Sequence, residues 1–304
     1  MALQMAIITH GGAGAVQGWV DGCEKAACKG MEVLEKSGDA MDAAVRAVTV
    51  LEDDGRYNAG SGSVLRLDGK TIEMDASVMD SRGRLGGVAI LRDVKNPVQV
   101  ARGVVDTPHI LLAGEGAFLF AQHVKAEKHP GPSEQATKRY EEMKKAILQH
   151  QGKLPGRFDR YNLSDIWNFP EALREVFSSC DTVGAVCLDR KGNFAVANST
   201  GGSSPMLLGR IGDSPLLGCG FYAGPKGAVA STGIGEEIIK TLLSKVVYDH
   251  MASGIHPQAA CERGVALFPK EITIGVIAVS RDGFGRAYNR TMPTGVKFKE
   301  NGAK

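Results

Sequence analysis

The sequence predicts an α+β fold, with two sheets packed face to face and helices outside them. The order of patterned segments carries this expectation: strand, helices, a hairpin and helices in the first half, then strands, helices and strands in the second. Bulk composition agrees. Hydrophobic residues make up 43% and charged residues 23% of 304 residues, ordinary for a globular chain long enough for one large core. The 39 glycines follow no collagen or linker repeat and point to tight turns and close backbone approaches.

Each element has its own signal. Residues 4–9 read as a buried strand entering a glycine turn. Residues 18–36 carry apolar side chains at helical spacing and stop at Gly38. Asp39 is a plausible N-cap for a second helix to about Leu51, apolar on most sides and therefore buried. Residues 63–68, the turn Asp68-Gly69 and residues 71–79 predict a β-hairpin, and 86–92 a third strand. Residues 97–105 and 114–124 look helical. Residues 125–178 are charged and polar. They predict a surface helix over about 133–150, then a poorly specified segment, so that about 125–180 reads as a flexible linker. Strands follow at 182–188, 194–198 and near 227–231. Helices are expected at 236–250 and 257–268, and strands at 273–279 and 285–288.

Several function classes are excluded early. A net charge of +2 offers no field to recruit nucleic acid or a membrane surface. No apolar run approaches the ~20 residues of a membrane span, and the N-terminus lacks the features of a signal peptide. The six cysteines show no CxxC or zinc-finger spacing and read as reduced thiols, as expected of a cytoplasmic protein. No HxxxH or carboxylate cluster suggests a catalytic metal.

The densest chemistry lies between residues 180 and 236. Cys180-Asp181-Thr182-Val183-Gly184-Ala185-Val186 opens an apolar run. Ser199-Thr200-Gly201-Gly202, Gly209-Arg210-Ile211-Gly212-Asp213-Ser214 and Ser231-Thr232-Gly233-Ile234-Gly235-Glu236 follow. A threonine hydroxyl is a poor nucleophile until a base removes its proton. Its own α-amine, freed by a cut before the residue, titrates near ~7.7–8.0 and can be that base. Taken singly, each residue has a blander reading. Thr182 could merely open a strand, Thr200 and Thr232 could be turn hydroxyls, and Arg210 with Asp213 could be a surface ion pair.

Together these segments resemble the plant-type L-asparaginases and isoaspartyl peptidases, a family of threonine N-terminal-nucleophile hydrolases. The resemblance runs from His10 to about Asn289. It adds His10-Gly11-Gly12-Ala13-Gly14, Leu51-Glu52-Asp53-Asp54, Tyr57-Asn58-Ala59-Gly60-Ser61-Gly62, Glu73-Met74-Asp75-Ala76-Ser77-Val78-Met79-Asp80, Lys95-Asn96-Pro97 and Thr107-Pro108-His109.

The resemblance implies a four-layer αββα sandwich over 1–304. Self-cleavage between Asp181 and Thr182 would give fragments 1–181 and 182–304, assembled as (αβ)₂. It implies Thr182 as nucleophile, Thr200 beside it, and Thr232 with the Gly233 N–H at the oxyanion. Arg210 would hold the substrate α-carboxylate, Asp213 and the Gly235 carbonyl its ammonium, and Asn58 would reach the active site. Carbonyls of Leu51, Glu52, Asp54, Tyr57, Ala59 and Ser61 would ring a structural sodium ion, with no catalytic cofactor. The implied activity is hydrolysis of the side-chain amide of L-asparagine and of β-aspartyl dipeptides, releasing L-aspartate.

Three positions depart from the pattern. Asp181 stands where glycine is usual before the nucleophile, Gly55-Arg56 replaces a proline-containing step, and Met206 stands where lysine is common. Asp181 keeps a glycosylasparaginase open as an alternative, although Gly201 is not the asparagine usual there. A nucleotide-binding oxidoreductase built on Gly11–Gly14 and a non-catalytic scaffold are the rivals from other classes.

Overall fold

The computed structural model describes residues 3–36, 38–149, 168, 179–180, 182–204 and 206–300. Asp181 lies outside the described residues. The first strand, β1 (Leu3–His10), is apolar and almost wholly buried. Helix α1 (Val20–Lys36) buries Cys23, Ala26, Ala27, Gly30, Met31 and Leu34, the three-and-four spacing of one helix face. Helix α2 (Ala40–Asp53) starts where expected. The Asp39 side chain accepts from the N–H groups of Met41 at 2.9 Å and Asp42 at 3.2 Å, satisfying two otherwise unpaired donors.

Strands β2 (Met74–Asp80), β3 (Leu85–Leu91) and β4 (Leu111–Ala113), with helices α3 (Pro97–Val104), α4 (Gly114–His123) and α5 (Glu134–Gln149), complete the first half. The second half adds the short β5 (Ser179–Cys180), β6 (Val183–Leu188), β7 (Phe194–Thr200), the short β8 (Ser203–Ser204), β9 (Phe221–Gly224) and β10 (Gly227–Gly233). It closes with α6 (Gly235–Thr241), α7 (Leu243–Ala252), α8 (Pro257–Val265), β11 (Ile274–Ser280), β12 (Gly283–Tyr288) and β13 (Thr294–Glu300). The chain is therefore mixed α and β. One sheet runs β13-β1-β6-β7-β2-β3-β4, a second runs β12-β11-β10-β9, and β5 pairs with β8.

Three buried clusters show how these parts meet. One joins α1–α4 to one face of the large sheet, through residues such as Val183, Ala185 and Ala197. A second lies between the sheets, where Ile8, Val186 and Val196 meet Ala230 and Ile277. The third packs the small sheet on α6–α8. Strand side chains alternate between faces. Since Val186 and Leu188 face the second sheet, so do Gly184 and Thr182 before them.

Several expectations are corrected. The hairpin over 63–68 and 71–79 does not form: the Asp68-Gly69 turn is present, with Arg66 N donating to Thr71 O at 2.8 Å, but only 74–80 is strand. Arg66 is instead buried, with Nη1 on Gly201 O at 2.8 Å and Nη2 on Glu73 O at 2.6 Å. The helix expected over 236–250 is two helices, broken at Leu242, whose φ of 50° is left-handed. The new helix starts there because the 218–219 turn satisfies its first donors: Ser244 N reaches Cys219 O at 3.1 Å and Lys245 N reaches Gly218 O at 2.9 Å. The sequence reading also missed β4, β9 and the edge strand β13. Of the expected linker, Ser133 and Arg139 contact the body, and 150–167 and 169–178 lie outside the described residues. Ser133 Oγ donates to Gly55 O at 2.9 Å and Arg139 Nη2 to Arg56 O at 3.1 Å.

Candidate active site

One small, partly open pocket gathers the carboxyl ends of β7 and β10 with the loop after β8. It is lined by Thr182, Thr200, Gly202, Ser203, Arg210, Gly212, Asp213, Ser214, Gly233 and Gly235. Six of these, Thr182, Thr200, Arg210, Asp213, Gly233 and Gly235, are residues singled out from the sequence.

Thr182 is buried at the entry to β6, its Oγ1 3.4 Å from Ser214 Oγ. Behind it lies His10, paired in register with Gly184, which in turn pairs with Asn198. A Cβ on Gly184 would lie 2.4 Å from His10 Nε2 and 2.5 Å from Asn198 Oδ1, so only glycine lets these side chains close beneath Thr182. Burial drives the His10 pKa down to about 3, the Thr182 backbone opposing it. Neither ring nitrogen makes a well-formed hydrogen bond among the described residues. His10 is therefore neutral at working pH.

Thr200 ends β7, where its Oγ1 accepts from Gly202 N at 2.9 Å and shapes the following turn. Asn58 stands behind that turn. Its Nδ2 donates to Gly202 O at 2.6 Å, and its Oδ1 accepts from Val64 N at 2.9 Å. It braces the pocket wall and is not among the lining residues.

Thr232 and Gly233 close β10. Thr232 Oγ1 accepts from Ala13 N at 3.2 Å, which leaves its own proton to donate. It lies beside the lining Gly233 without being part of the lining itself. Gly233 has φ 137°, and a Cβ there would lie 2.1 Å from Thr273 O. Only glycine takes this conformation at this approach.

Arg210 and Asp213 do not form a surface pair. Asp213 is 3% exposed, and burial pushes its carboxyl up to about 7 against the pull of Arg210. Among the described residues its Oδ2 has no hydrogen-bond partner. A Cβ on Gly235 would lie 2.7 Å from Arg210 Nη2 and 2.9 Å from Asp213 Oδ1, so the cation and the carboxyl converge on a wall kept bare. The pocket thus presents a nucleophile candidate, a fork of N–H donors and an unpaired carboxyl oxygen in one small volume. That set suits a zwitterionic amino acid, with its carboxylate on the guanidinium and its ammonium on the carboxylate.

The loop carrying Arg210 is fixed from below. Glu73 Oε2 accepts from Gly209 N at 3.0 Å and Arg66 Nε at 3.3 Å, and its Oε1 takes Arg92 Nη2 at 2.5 Å. Burial opposes ionisation of Glu73, but Arg92, the Gly209 N–H and Arg66 hold its carboxyl below the usual range. Sequence reasoning missed Arg66, Ser214 and Glu236. Ser214 and Glu236 adjoin named residues in their motifs, which was the only signal available. Arg66 gave none.

Around the predicted cation loop, backbone carbonyls crowd two glycines. A Cβ on Gly62 would lie 2.0 Å from Tyr57 O and 2.7 Å from Gly55 O. One on Gly60 would lie 2.8 Å from both Glu52 O and Lys95 O. Oxygen-only donors on a tight loop fit a hard cation, and Glu52 and Tyr57 belong to the expected set. Among the described residues no group of three or more His, Cys, Asp or Glu could hold a metal ion.

The Gly11–Gly14 turn does not have a dinucleotide context. β1 lies between two antiparallel partners, β13 and β6. The turn's donors are spent within the chain, with Gly11 N on Pro293 O at 2.9 Å and Gly14 N on Thr291 O at 2.6 Å.

A family model described as asparaginase matches residues 3–299. The chain is 38% identical to a plant-type L-asparaginase of Pyrococcus furiosus over 99% of this chain and 98% of the relative. It is 39% identical to a plant-type L-asparaginase of Thermococcus kodakarensis over 91% of this chain and 90% of the relative. An isoaspartyl peptidase/L-asparaginase of Danio rerio is 38% identical over 91% of this chain and 86% of the relative.

Proposed function

The chain belongs to the asparaginase family, and from that premise we propose that it hydrolyses the side-chain amide of L-asparagine and of β-aspartyl dipeptides, releasing L-aspartate. The observation that carries this reading is the buried, unpartnered Asp213 Oδ2 beside Arg210 in the pocket of Thr182. An α-ammonium satisfies the one, an α-carboxylate the other, and the side-chain amide then reaches the threonine.

In this reading Thr182 first attacks the carbonyl of residue 181 in its own chain. The resulting ester is hydrolysed, and the threonine amine is freed. That amine takes the Oγ proton as Oγ attacks the substrate amide carbon. Thr232 and the Gly233 N–H stabilise the oxyanion, where each well-placed donor contributes about 2.7–4 kcal/mol. The protonated amine passes its proton to the departing ammonia or amino acid. Water, deprotonated by the same amine, then attacks the acyl-enzyme ester and frees aspartate. Thr200 and Ser214 orient the nucleophile's hydroxyl.

The three buried clusters support a four-layer αββα arrangement of the N-terminal-nucleophile type. The carbonyl crowding at residues 51–62 supports a structural sodium ion there, which would brace the wall behind Asn58. No helix among the described residues is long and apolar enough to cross a membrane.

The test is ammonia release from L-asparagine and amino-acid release from a β-aspartyl dipeptide, with Thr182→Ala as control. Hydrolysis of both by the parent and neither by the variant is expected. A cleaved parent that hydrolyses neither rejects the reading.

A further inference from the structure

Arg210 is engaged by a residue outside the pair expected to bind substrate. Its Nε and Nη2 both reach Glu236 Oε1, at 3.0 and 2.8 Å. Its Nη1 lies 3.6 Å from the Met206 sulfur. A guanidinium has five N–H donors in one plane: one on Nε and two on each terminal nitrogen. Glu236 takes the Nε–H and the Nη2–H beside it. The end-on fork, one hydrogen on each terminal nitrogen, lies on the edge that Glu236 does not occupy.

That fork meets the bare wall of the pocket. A Cβ on Gly212 would lie 2.7 Å from Nη1, and one on Gly235 would lie 2.7 Å from Nη2. Asp213 Oδ1 lies on the same side, 2.9 Å from the position of a Gly235 Cβ.

We infer that Glu236 is a positioning residue: it holds the side edge of Arg210 so that the end-on fork meets the substrate's α-carboxylate. Glu236 opens the first turn of α6 immediately after Gly235, so one short element supplies both the gap and the brace. Its side chain is 43% exposed against 18% for Arg210. A pair this open contributes little to folding stability, so its removal reports on aim more than on fold. Met206 meets Nη1 with a neutral acceptor. A lysine there would set a second cation against the guanidinium.

The inference rests on Arg210 being the carboxylate clamp. The experiment compares Glu236→Ala and Glu236→Gln with the parent in the cleaved enzyme. It measures kcat and KM for L-asparagine and inhibition by L-aspartate and by β-alanine, which is aspartate without its α-carboxylate. In Glu236→Ala, KM and the aspartate inhibition constant should rise about tenfold, the scale of one loosened charge-assisted contact. The kcat should stay within about twofold, because the α-carboxylate is held alike in ground and transition states. Glu236→Gln, which keeps an acceptor oxygen, should show a smaller rise, and β-alanine inhibition should not change. A KM that is unchanged, or that falls because Glu236 had competed with the substrate, overturns the inference. So does equal weakening of aspartate and β-alanine. If the parent hydrolyses asparagine normally while these results go the wrong way, the positioning role fails and the function stands. If the parent hydrolyses no asparagine, the reading of the function itself fails.

Discussion

In the proposed reading Asp213 and Arg210 decide which molecules the pocket accepts, and both lend themselves to direct tests. Arg210→Lys replaces a planar fork by an ammonium that cannot make two parallel contacts. Losing one charge-assisted contact costs about 1.5–3 kcal/mol, or roughly one to two decades in kcat/KM. Asp213→Asn should do similar harm, and steady-state kinetics with asparagine and a β-aspartyl dipeptide should show both substrates suffering together. Parental rates in Arg210→Lys would reject the clamp. The raised Asp213 pKa adds a pH dependence. Burial lifts this carboxyl to about 7, so the free protein holds it neutral in acid, and only its ionised form can hold an ammonium. The kcat/KM for asparagine should therefore rise with pH through about 7. The kcat profile should keep only the limb of the Thr182 α-amine near ~7.7–8.0, because bound ammonium keeps the Asp213 carboxylate ionised. A kcat/KM that is flat between pH 5.5 and 8.5 would contradict this. At this scale the sequence was most legible where chemistry demands a particular residue. Thr182, Thr200, Arg210, Asp213, Gly233 and Gly235 stand in glycine-flanked motifs, and one pocket gathers them. Arg66 was not legible, and Glu236 only through its place beside Gly235, because a charged side chain's neighbours do not announce that it will brace another element.

Among the elements, the helix starts and stops separate what pattern can and cannot reveal. Asp39 caps α2 as its sequence position predicts, and it also takes Arg82 Nη2 at 2.8 Å and Arg84 Nη2 at 3.1 Å. Asp39→Ala should cost about 0.5–2 kcal/mol of stability by loss of the cap. Urea denaturation measures this, and an unchanged midpoint would refute it. The break at Leu242 was invisible because no glycine or proline marks it. Its cause is tertiary, the carbonyls of the 218–219 turn receiving the first donors of α7. A left-handed leucine is strained, so Leu242→Gly should stabilise the protein by up to about 1 kcal/mol, and a fall in the urea midpoint would contradict that. The hairpin over 63–79 failed for a related reason. Alternation predicted pairing, but Arg66 is drawn inward to Glu73 and Gly201, and β2 finds its partners in β7 and β3. The edge strand β13 escaped notice because its outer half is exposed and charged, which gives weak alternation.

Over the whole molecule, the large sheet interleaves strands from both sides of the proposed cut. β1 lies between β13 and β6, and β7 pairs with β2. Fragments 1–181 and 182–304 should therefore remain together after cleavage, since parting them would tear a seven-stranded sheet. We expect the cleaved pairs to assemble further as (αβ)₂, and native mass measurement giving only an isolated αβ unit would reject that. The mixed α and β character was legible from the order of patterned segments. Strand order was not, because β1 and β13 pair across nearly the full length of the chain, and local pattern carries no record of such distant partners. The central claim is that Thr182 becomes an N-terminal nucleophile, and one measurement tests it most directly: intact-mass analysis of purified protein, with N-terminal sequencing of the smaller fragment and asparagine hydrolysis followed on the same sample. The account expects two fragments, the smaller beginning Thr-Val-Gly-Ala, with activity rising as the intact chain disappears, and a single inactive chain for Thr182→Ala. Full activity from an uncut chain would contradict it.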